Sequence, residues 1–341
     1  MINLKDLTLQ EMEELVSSMG QPAFRGKQIF QWIYKGIETF DLMTNLPQTF
    51  REKLSEKAYI GTLKPLEIQK SKSDGTRKYL FRLADENTIE SVFMKYKYGN
   101  SICVSSQAGC RMGCSFCAST RKGLARNLTA GEILSQLMAA EADTGEKIGH
   151  IVVMGTGEPF DNYENLSSFL QIVNDKNGLN IGMRNITVST CGIVPMIERF
   201  GEDFPQANLA VSLHGATDEI RNSMMPINRR YPLDVLIEAC RDYTNKTGRR
   251  ITFEYTLVNG VNDSDSDAVT LKKLLKGMLC HVNLIPLNKV AESGFDTVSR
   301  ARALEFQQLL EKSGIAATVR RELGADIDAA CGQLRLSREK V

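Results

Sequence analysis

At 341 residues, with 42% apolar and 24% charged side chains, the chain has an ordinary globular composition and is long enough to bury roughly three quarters of its unfolded surface without disulfide staples. A formal charge of +1 excludes the strong basic field that would by itself announce nucleic acid, and no apolar run approaches the ~20 residues that cross a bilayer. The opening Met-Ile-Asn-Leu-Lys-Asp lacks the pattern of a signal peptide, so the cytoplasm is the expected compartment and no membrane is expected to be involved.

Residues 1–58 read as a module of short helices. The first, over 9–19, follows Thr8 with apolar residues three to four apart; the second, over 24–37, carries Phe24, Ile29, Phe30, Ile33 and Tyr34; Leu46-Pro47 opens a third that ends near Ala58. Its Arg25, Lys27, Lys35, Arg51, Lys53 and Lys57 suit either a phosphate backbone or plain solvation. Residues 59–95 change to a β-rich connecting segment. There Leu66-Glu67-Ile68 and Tyr79-Leu80-Phe81 flank Ser73-Asp74-Gly75, the signature of a hairpin, and strands over 89–94 and 102–104 follow.

Strand and helix then alternate through residues 96–334, leaving 335–341 as a tail. Thr129-Ala-Gly-Glu132 is a capping box for a helix to about Ala142. Strands are expected over 150–154, 185–190, 208–213, 250–258, 281–286 and 315–320, with amphipathic helices between them, one near 166–173. That rhythm predicts an α/β fold with a parallel sheet, either a barrel or doubly wound. Gly155-Thr-Gly-Glu158, Ser189-Thr190, Ser212-Leu-His214 and Asn288 all fall at strand C-termini, which favours a barrel with its site on that face.

Eight cysteines occur, and four of them lie between Cys103 and Cys117, a density that in a cytosolic chain reads as metal ligation or redox chemistry. Cys110-Arg-Met-Gly-Cys114-Ser-Phe-Cys117 is a Cys-x3-Cys-x2-Cys loop, expected between a strand and a helix. Three thiolates this close can wrap three corners of a four-iron cluster. The fourth iron can then take a bidentate small molecule, such as the amino and carboxylate groups of S-adenosylmethionine. An electron passed into the sulfonium cleaves a carbon–sulfur bond and releases a 5′-deoxyadenosyl radical. The bland alternative, a structural zinc, wants four protein ligands, and no further Cys or His follows within a few residues of Cys117.

Gly155-Thr-Gly-Glu-Pro159 is weak as a phosphate loop, because it lacks the Gly-Lys-Ser/Thr ending. Beside a cluster it suits a grip on the methionine amino group; a tight turn alone is the other reading. Cys331, past the last strand, reads either as a small buried hydrophobe or as a catalytic thiol on a loop that reaches the site. Cys191, Cys240 and Cys280 read as structural, His150 and His281 as packing residues, and His214 as a site member.

With those residues in hand, the chain resembles the RlmN/Cfr family of radical S-adenosylmethionine methyltransferases, which modify adenosines in RNA. The resemblance runs over essentially the whole chain and rests on Cys103-Val-Ser-Ser-Gln107, the three-cysteine loop with Cys117-Ala-Ser-Thr120, Met154-Gly-Thr-Gly-Glu-Pro-Phe-Asp-Asn162, Ser212-Leu-His214, Met225-Pro-Ile-Asn228, His281-Val-Asn-Leu-Ile-Pro286 and Asp326-Ile-Asp-Ala-Ala-Cys-Gly-Gln-Leu334. It implies a partial (β/α)6 radical SAM barrel with a small N-terminal helical domain that contacts RNA. Cys110, Cys114 and Cys117 would hold a [4Fe-4S] cluster, and Gly157, Glu158, Ser189, Ser212, Leu213, His214 and Asn288 would bind S-adenosylmethionine.

Two S-adenosylmethionines are implied per turnover. The first methylates Cys331; the second yields the radical that takes a hydrogen from that methyl group. The resulting carbon radical adds to the adenine ring, and Cys103 then attacks the sulfur, forms a disulfide with Cys331 and frees the base. Glu90 matches the family's proton acceptor. Glu158-Pro159, where the Cfr branch reads Gly-Glu-Ala, implies 2-methyladenosine over the 8-methyl isomer. The implied partners are 23S rRNA near the peptidyl-transferase centre, tRNA beside the anticodon, and an external flavodoxin-like or ferredoxin-like electron donor. The target adenosine must be unstacked from its helix to expose its ring. Nothing in the sequence suggests an obligate interface, so a monomer is expected. Competing readings are C8 methylation, an iron–sulfur protein that contacts RNA without chemistry, and a radical enzyme with a small-molecule substrate.

Overall fold

A computed structural model describes residues 1–288, 294–321, 323–327 and 329. The N-terminal residues form α1 (Leu9–Ser18), α2 (Phe24–Tyr34) and α3 (Gln48–Lys57), closed by a two-residue parallel pairing of β1 (Ile2–Asn3) with β2 (Ala58–Tyr59). Thr8 and Glu11 make a capping box at the start of α1, satisfying two backbone N–H groups that a helix start leaves without partners. Met12, Val16, Ile29, Phe30, Ile33, Phe50 and Leu54 are buried together, each such side chain contributing roughly 1.5–3 kcal/mol on burial. The short β1–β2 pairing carries no sequence signal, since two residues cannot show an alternation.

The next stretch builds β3 (Pro65–Lys70), β4 (Arg77–Arg82), β5 (Thr88–Tyr96) and β6 (Gly99–Cys103), each antiparallel to its predecessor. Alternation on β5 sets two faces. Ile89 and Phe93 enter the main core, whereas Val92 and Met94 turn to the opposite side and join Cys103 in a small separate cluster. A second, short hairpin of β7 (Gln107–Gly109) and β8 (Leu124–Asn127) follows, and the cysteine loop is its tip. The expected strand-to-helix setting of that loop is therefore corrected: β8 intervenes before α4 (Ala130–Thr144).

From α4 onward the alternation is regular: β9 (His150–Val153), α5 (Tyr163–Asn174), β10 (Ile186–Thr190), α6 (Val194–Asp203), β11 (Asn208–Ser212), α7 (Asp218–Met224), α8 (Leu233–Thr247), β12 (Ile251–Leu257), α9 (Asp265–Leu275), β13 (Cys280–Pro286), α10 (Arg300–Glu311) and β14 (Ala317–Val319). One ten-stranded sheet results, in the order β14-β13-β12-β11-β10-β9-β6-β5-β4-β3, parallel from β14 to β6 and antiparallel beyond. Phe253, Tyr255 and Leu257 of β12 face the helices, while Glu254 and Thr256 face the concave side. The fold is the mixed α/β architecture of a partial barrel with its strand C-termini on one rim. The N-terminal module sits against α4, where Asp6 Oδ1 accepts from the Gly131 N–H at 2.7 Å. Among the described residues no helix is long and apolar enough to cross a membrane.

Candidate active site

The cysteine loop is pinched at its neck. Cys110 N–H donates to the Gly123 carbonyl at 3.0 Å. Gly109 has φ +80°, and a Cβ there would lie 2.0 Å from the same carbonyl oxygen, so only glycine fits. The loop is tied to the barrel by Ser115 N–H, which donates to the Met224 carbonyl at 2.9 Å. Met112, Cys114 and Phe116 pack on an apolar group of Met224, Met225, Val258 and Leu287. All three cysteines line one cleft of about 970 Å³ at the strand C-termini.

Burial pushes the Cys110 thiol up to about 12 and the Cys114 thiol well above its ordinary value. Thiols in such surroundings ionise when a cation takes them. Among the described residues no three ligating side chains converge on a single ion-sized point. A four-iron cluster takes one thiolate per corner, so its ligands spread around a cube, and three thiols on one wall of an open cleft fit that donor set.

The facing wall is built on Glu158. Its Oε1 accepts from Phe160 N–H at 3.0 Å and Thr190 Oγ1 at 2.7 Å, and its Oε2 accepts from Cys191 N–H at 2.7 Å. The Cys191 thiol hydrogen-bonds the same carboxylate, so four donors of the protein surround it. Burial raises the Glu158 pKa against the pull of those four donors. Gln107 fixes the turn by accepting from Glu158 N–H at 2.8 Å. His214 stands at φ +54°, with Nδ1 accepting from Thr256 N–H at 2.9 Å; Nε2 therefore carries the proton. Burial and the Arg221 charge lower its pKa to about 3, so the ring is neutral. Arg221 is fully buried behind this wall and donates to the carbonyls of Leu213, Cys191 and Ser212 and to Asn228 Oδ1.

Nine of the residues singled out in the sequence meet in the cleft: Cys110, Cys114, Cys117, Gly157, Glu158, Ser189, Ser212, His214 and Asn288. Leu213 does not; its side chain is in the core and its N–H donates to the Glu254 carbonyl at 3.0 Å. Cys103 and Glu90 lie just outside. Cys103 is buried with Val92, Met94 and Leu323, and Met154, which packs on that cluster, also lines the cleft. Glu90 is buried on the same side, its Oε1 3.7 Å from Lys78 Nζ. Cys331 lies outside the described residues.

Sequence reasoning missed three cleft groups. Cys191, read as structural, lines the cleft beside Glu158. Glu254, which accepts from Asn283 Nδ2 at 2.8 Å, and Arg320 line its floor. A charged residue inside an apolar β12 run was the available signal for Glu254; Cys191 directly follows Ser189-Thr190 and could have been found by position.

Comparison with known proteins fits this geometry. The ribosomal RNA large subunit methyltransferase N-terminal domain matches residues 2–60, and the radical SAM superfamily matches residues 104–271. A "Probable dual-specificity RNA methyltransferase RlmN" of Alkaliphilus oremlandii is 55% identical over 98% of this chain and 97% of its own length. Another of that name, from Caldanaerobacter subterraneus, is 54% identical over 98% of each. The crystal structure of a radical SAM methyltransferase from Sphaerobacter thermophilus superposes with a TM-score of 0.93 at 48% identity, covering 99% of this chain and 100% of that one. The chain belongs to the RlmN family of radical SAM RNA methyltransferases.

Proposed function

We propose that this enzyme methylates C2 of an adenosine in 23S rRNA, and of tRNA beside the anticodon, through two cysteines, Cys331 and Cys103. The observation that carries this reading is the meeting of the chain's far end with Cys103. Ala329, two residues before Cys331, packs on the apolar cluster that contains Cys103, and that cluster touches the cleft through Met154.

Cys110, Cys114 and Cys117 would hold the [4Fe-4S] cluster, and Gly157, Glu158, Ser189, Ser212, Leu213, His214 and Asn288 would bind S-adenosylmethionine, used twice per turnover. When bound, the pair supplies a 5′-deoxyadenosyl radical that makes an unreactive methyl group able to attack an aromatic carbon. The protein's own residues do the rest. Glu158 offers its carboxylate charge to an ammonium group, and neutral His214 donates from Nε2. The Cys331 sulfur carries the methyl group, the Cys103 thiolate attacks that sulfur to release the base, and Glu90 takes the ring proton.

Residues 1–58 serve as an RNA-contacting domain. Lys27, Lys35, Lys53 and Lys57 are exposed there, whereas the Arg51 guanidinium donates to the Asp41 carbonyl and Arg25 lies over the Phe50 ring. Arg229 and Arg230 are exposed next to the segment that holds the cysteine loop. A monomer supplied by an external flavodoxin-like or ferredoxin-like donor satisfies this scheme.

An oxygen-free reaction of the cluster-loaded enzyme with rRNA and tRNA fragments tests it, read by nucleoside mass spectrometry. The parent yields 2-methyladenosine; Cys331→Ala yields none; Cys103→Ala leaves protein covalently joined to RNA. Free product from Cys103→Ala overturns the resolving role, and 8-methyladenosine from the parent overturns the C2 assignment.

A further inference from the structure

Two segments about 250 positions apart in the chain exchange hydrogen bonds in opposite senses. The turn between β3 and β4 gives its Lys72 N–H to Asp326 Oδ2 at 2.9 Å, and the C-terminal segment gives its Gly324 N–H to Asp74 Oδ2 at 2.9 Å. Each carboxylate is prepared for this by its own side of the contact. Asp74 also accepts from Thr76 N–H at 2.9 Å, which fixes the turn, and Ser71 Oγ accepts from Ser73 N–H at 3.2 Å. On the other side a short 3-10 turn, Ala325–Ile327, is closed by Ile327 N–H on the Gly324 carbonyl at 3.1 Å and by Ala329 N–H on the same oxygen at 3.2 Å. Gly324 has φ +64°, and a Cβ there would lie 2.8 Å from Ala329 Cβ and 2.9 Å from Thr76 Cγ2. A side chain at 324 would meet the Ala329 and Thr76 side chains in a backbone conformation that favours glycine. Leu323 and Ala329, on either side of this contact, both pack on the Cys103 cluster.

We infer that Asp74 and Asp326 form a clasp that holds residues 323–327 and Ala329 beside the Cys103 cluster, and so favours the reaction of Cys331 with Cys103. This rests on the two-cysteine reading above. A segment joined to the barrel only past β14 would sweep a large volume; each clasp bond removes part of that freedom and raises the effective concentration of one thiol at the other. Asp74 and Asp326 take no part in the chemistry proposed above, so these are positioning residues. Both bonds lie near the surface, where a single hydrogen bond can be broken and remade within a reaction cycle.

The test measures how readily the two thiols find each other. Full-length, cluster-loaded protein is equilibrated without oxygen in glutathione buffers of graded ratio. One glutathione disulfide is reduced to two glutathiones as the Cys103 and Cys331 thiols become one disulfide, which mass spectrometry of alkylated peptides quantifies. Asp74→Ala and Asp326→Ala should each lower the effective concentration about fivefold, the factor that accompanies one exposed hydrogen bond. Asp74→Asn and Asp326→Asn, whose amide oxygen still accepts the same N–H, should stay within about twofold of the parent. Amide hydrogen exchange at Lys72 and Gly324 should quicken in the alanine variants alone. If the parent forms the disulfide and the alanine variants match it, the clasp is refuted while the two-cysteine reading stands. A parent that forms no Cys103–Cys331 disulfide at any ratio refutes the two-cysteine reading and leaves the clasp nothing to position.

Discussion

The cleft and the antiparallel edge of the sheet both bury charge, but they compensate it differently. In the cleft, Glu158 takes its hydrogen bonds from two backbone N–H groups, a threonine hydroxyl and the Cys191 thiol, and Arg221 gives its own to carbonyls and an asparagine. Their partners are neutral. At the edge, Lys78 and Glu90 face each other across 3.7 Å with only 5% of each side chain exposed. There the chain supplies both charges. A buried charge held by neutral dipoles costs free energy until an opposite charge arrives, whereas a buried pair is balanced from the moment of folding. The cleft is therefore suited to a charged ligand, whereas the edge pair is balanced within the fold until Glu90 takes up a proton.

That contrast can be broken most severely at the cysteine loop. Cys114→Ala should abolish the cluster's visible absorption and 5′-deoxyadenosine formation, while Cys191→Ser, in the same cleft, should keep both. Loss of the cluster from Cys191→Ser would mean that the protein caps a fourth iron corner itself. A smaller effect is expected at the edge. Lys78→Met strands a buried carboxylate and should cost about 3–5 kcal/mol in denaturant unfolding, and adding Glu90→Leu should recover most of it. Additive losses in the double variant would show that the pair does not balance itself.

The smallest effect concerns Lys5, buried beside α4, whose pKa burial lowers to about 8 from 10.5. Because the folded state gives up this proton first, the cost of burying its charge is full below about 8 and disappears as pH rises toward 10.5. Lys5→Met should raise the melting temperature at pH 7, and its advantage should shrink over that window. An advantage constant with pH would assign the gain to packing alone.

Much of the candidate site was legible along the chain because its thiols are local. Cys110, Cys114 and Cys117 fall within eight residues, and one loop must carry them wherever it is placed. The motifs at 155–158, 189–190 and 212–214 were legible for a related reason: each ends a parallel strand, and a curved parallel sheet gathers its strand ends on one rim. The β7–β8 hairpin was not legible, since strands of three and four residues show too little alternation to separate them from loop. Cys191 was passed over for the opposite reason: its apolar neighbours suit a core residue as well as a cleft wall.

The sequence alone determined the alternating α/β order, the helix caps at Thr8 and Thr129, and the thiol-bearing loop, because periodicity, capping and ligand spacing act over a few residues. Only the tertiary structure decided that Glu158 would be held from β10, that Lys78 would pair with Glu90, and that Asp74 would reach Gly324. These contacts join residues through strand register and chain return. No local pattern encodes them, since each depends on where the whole sheet puts two distant backbones.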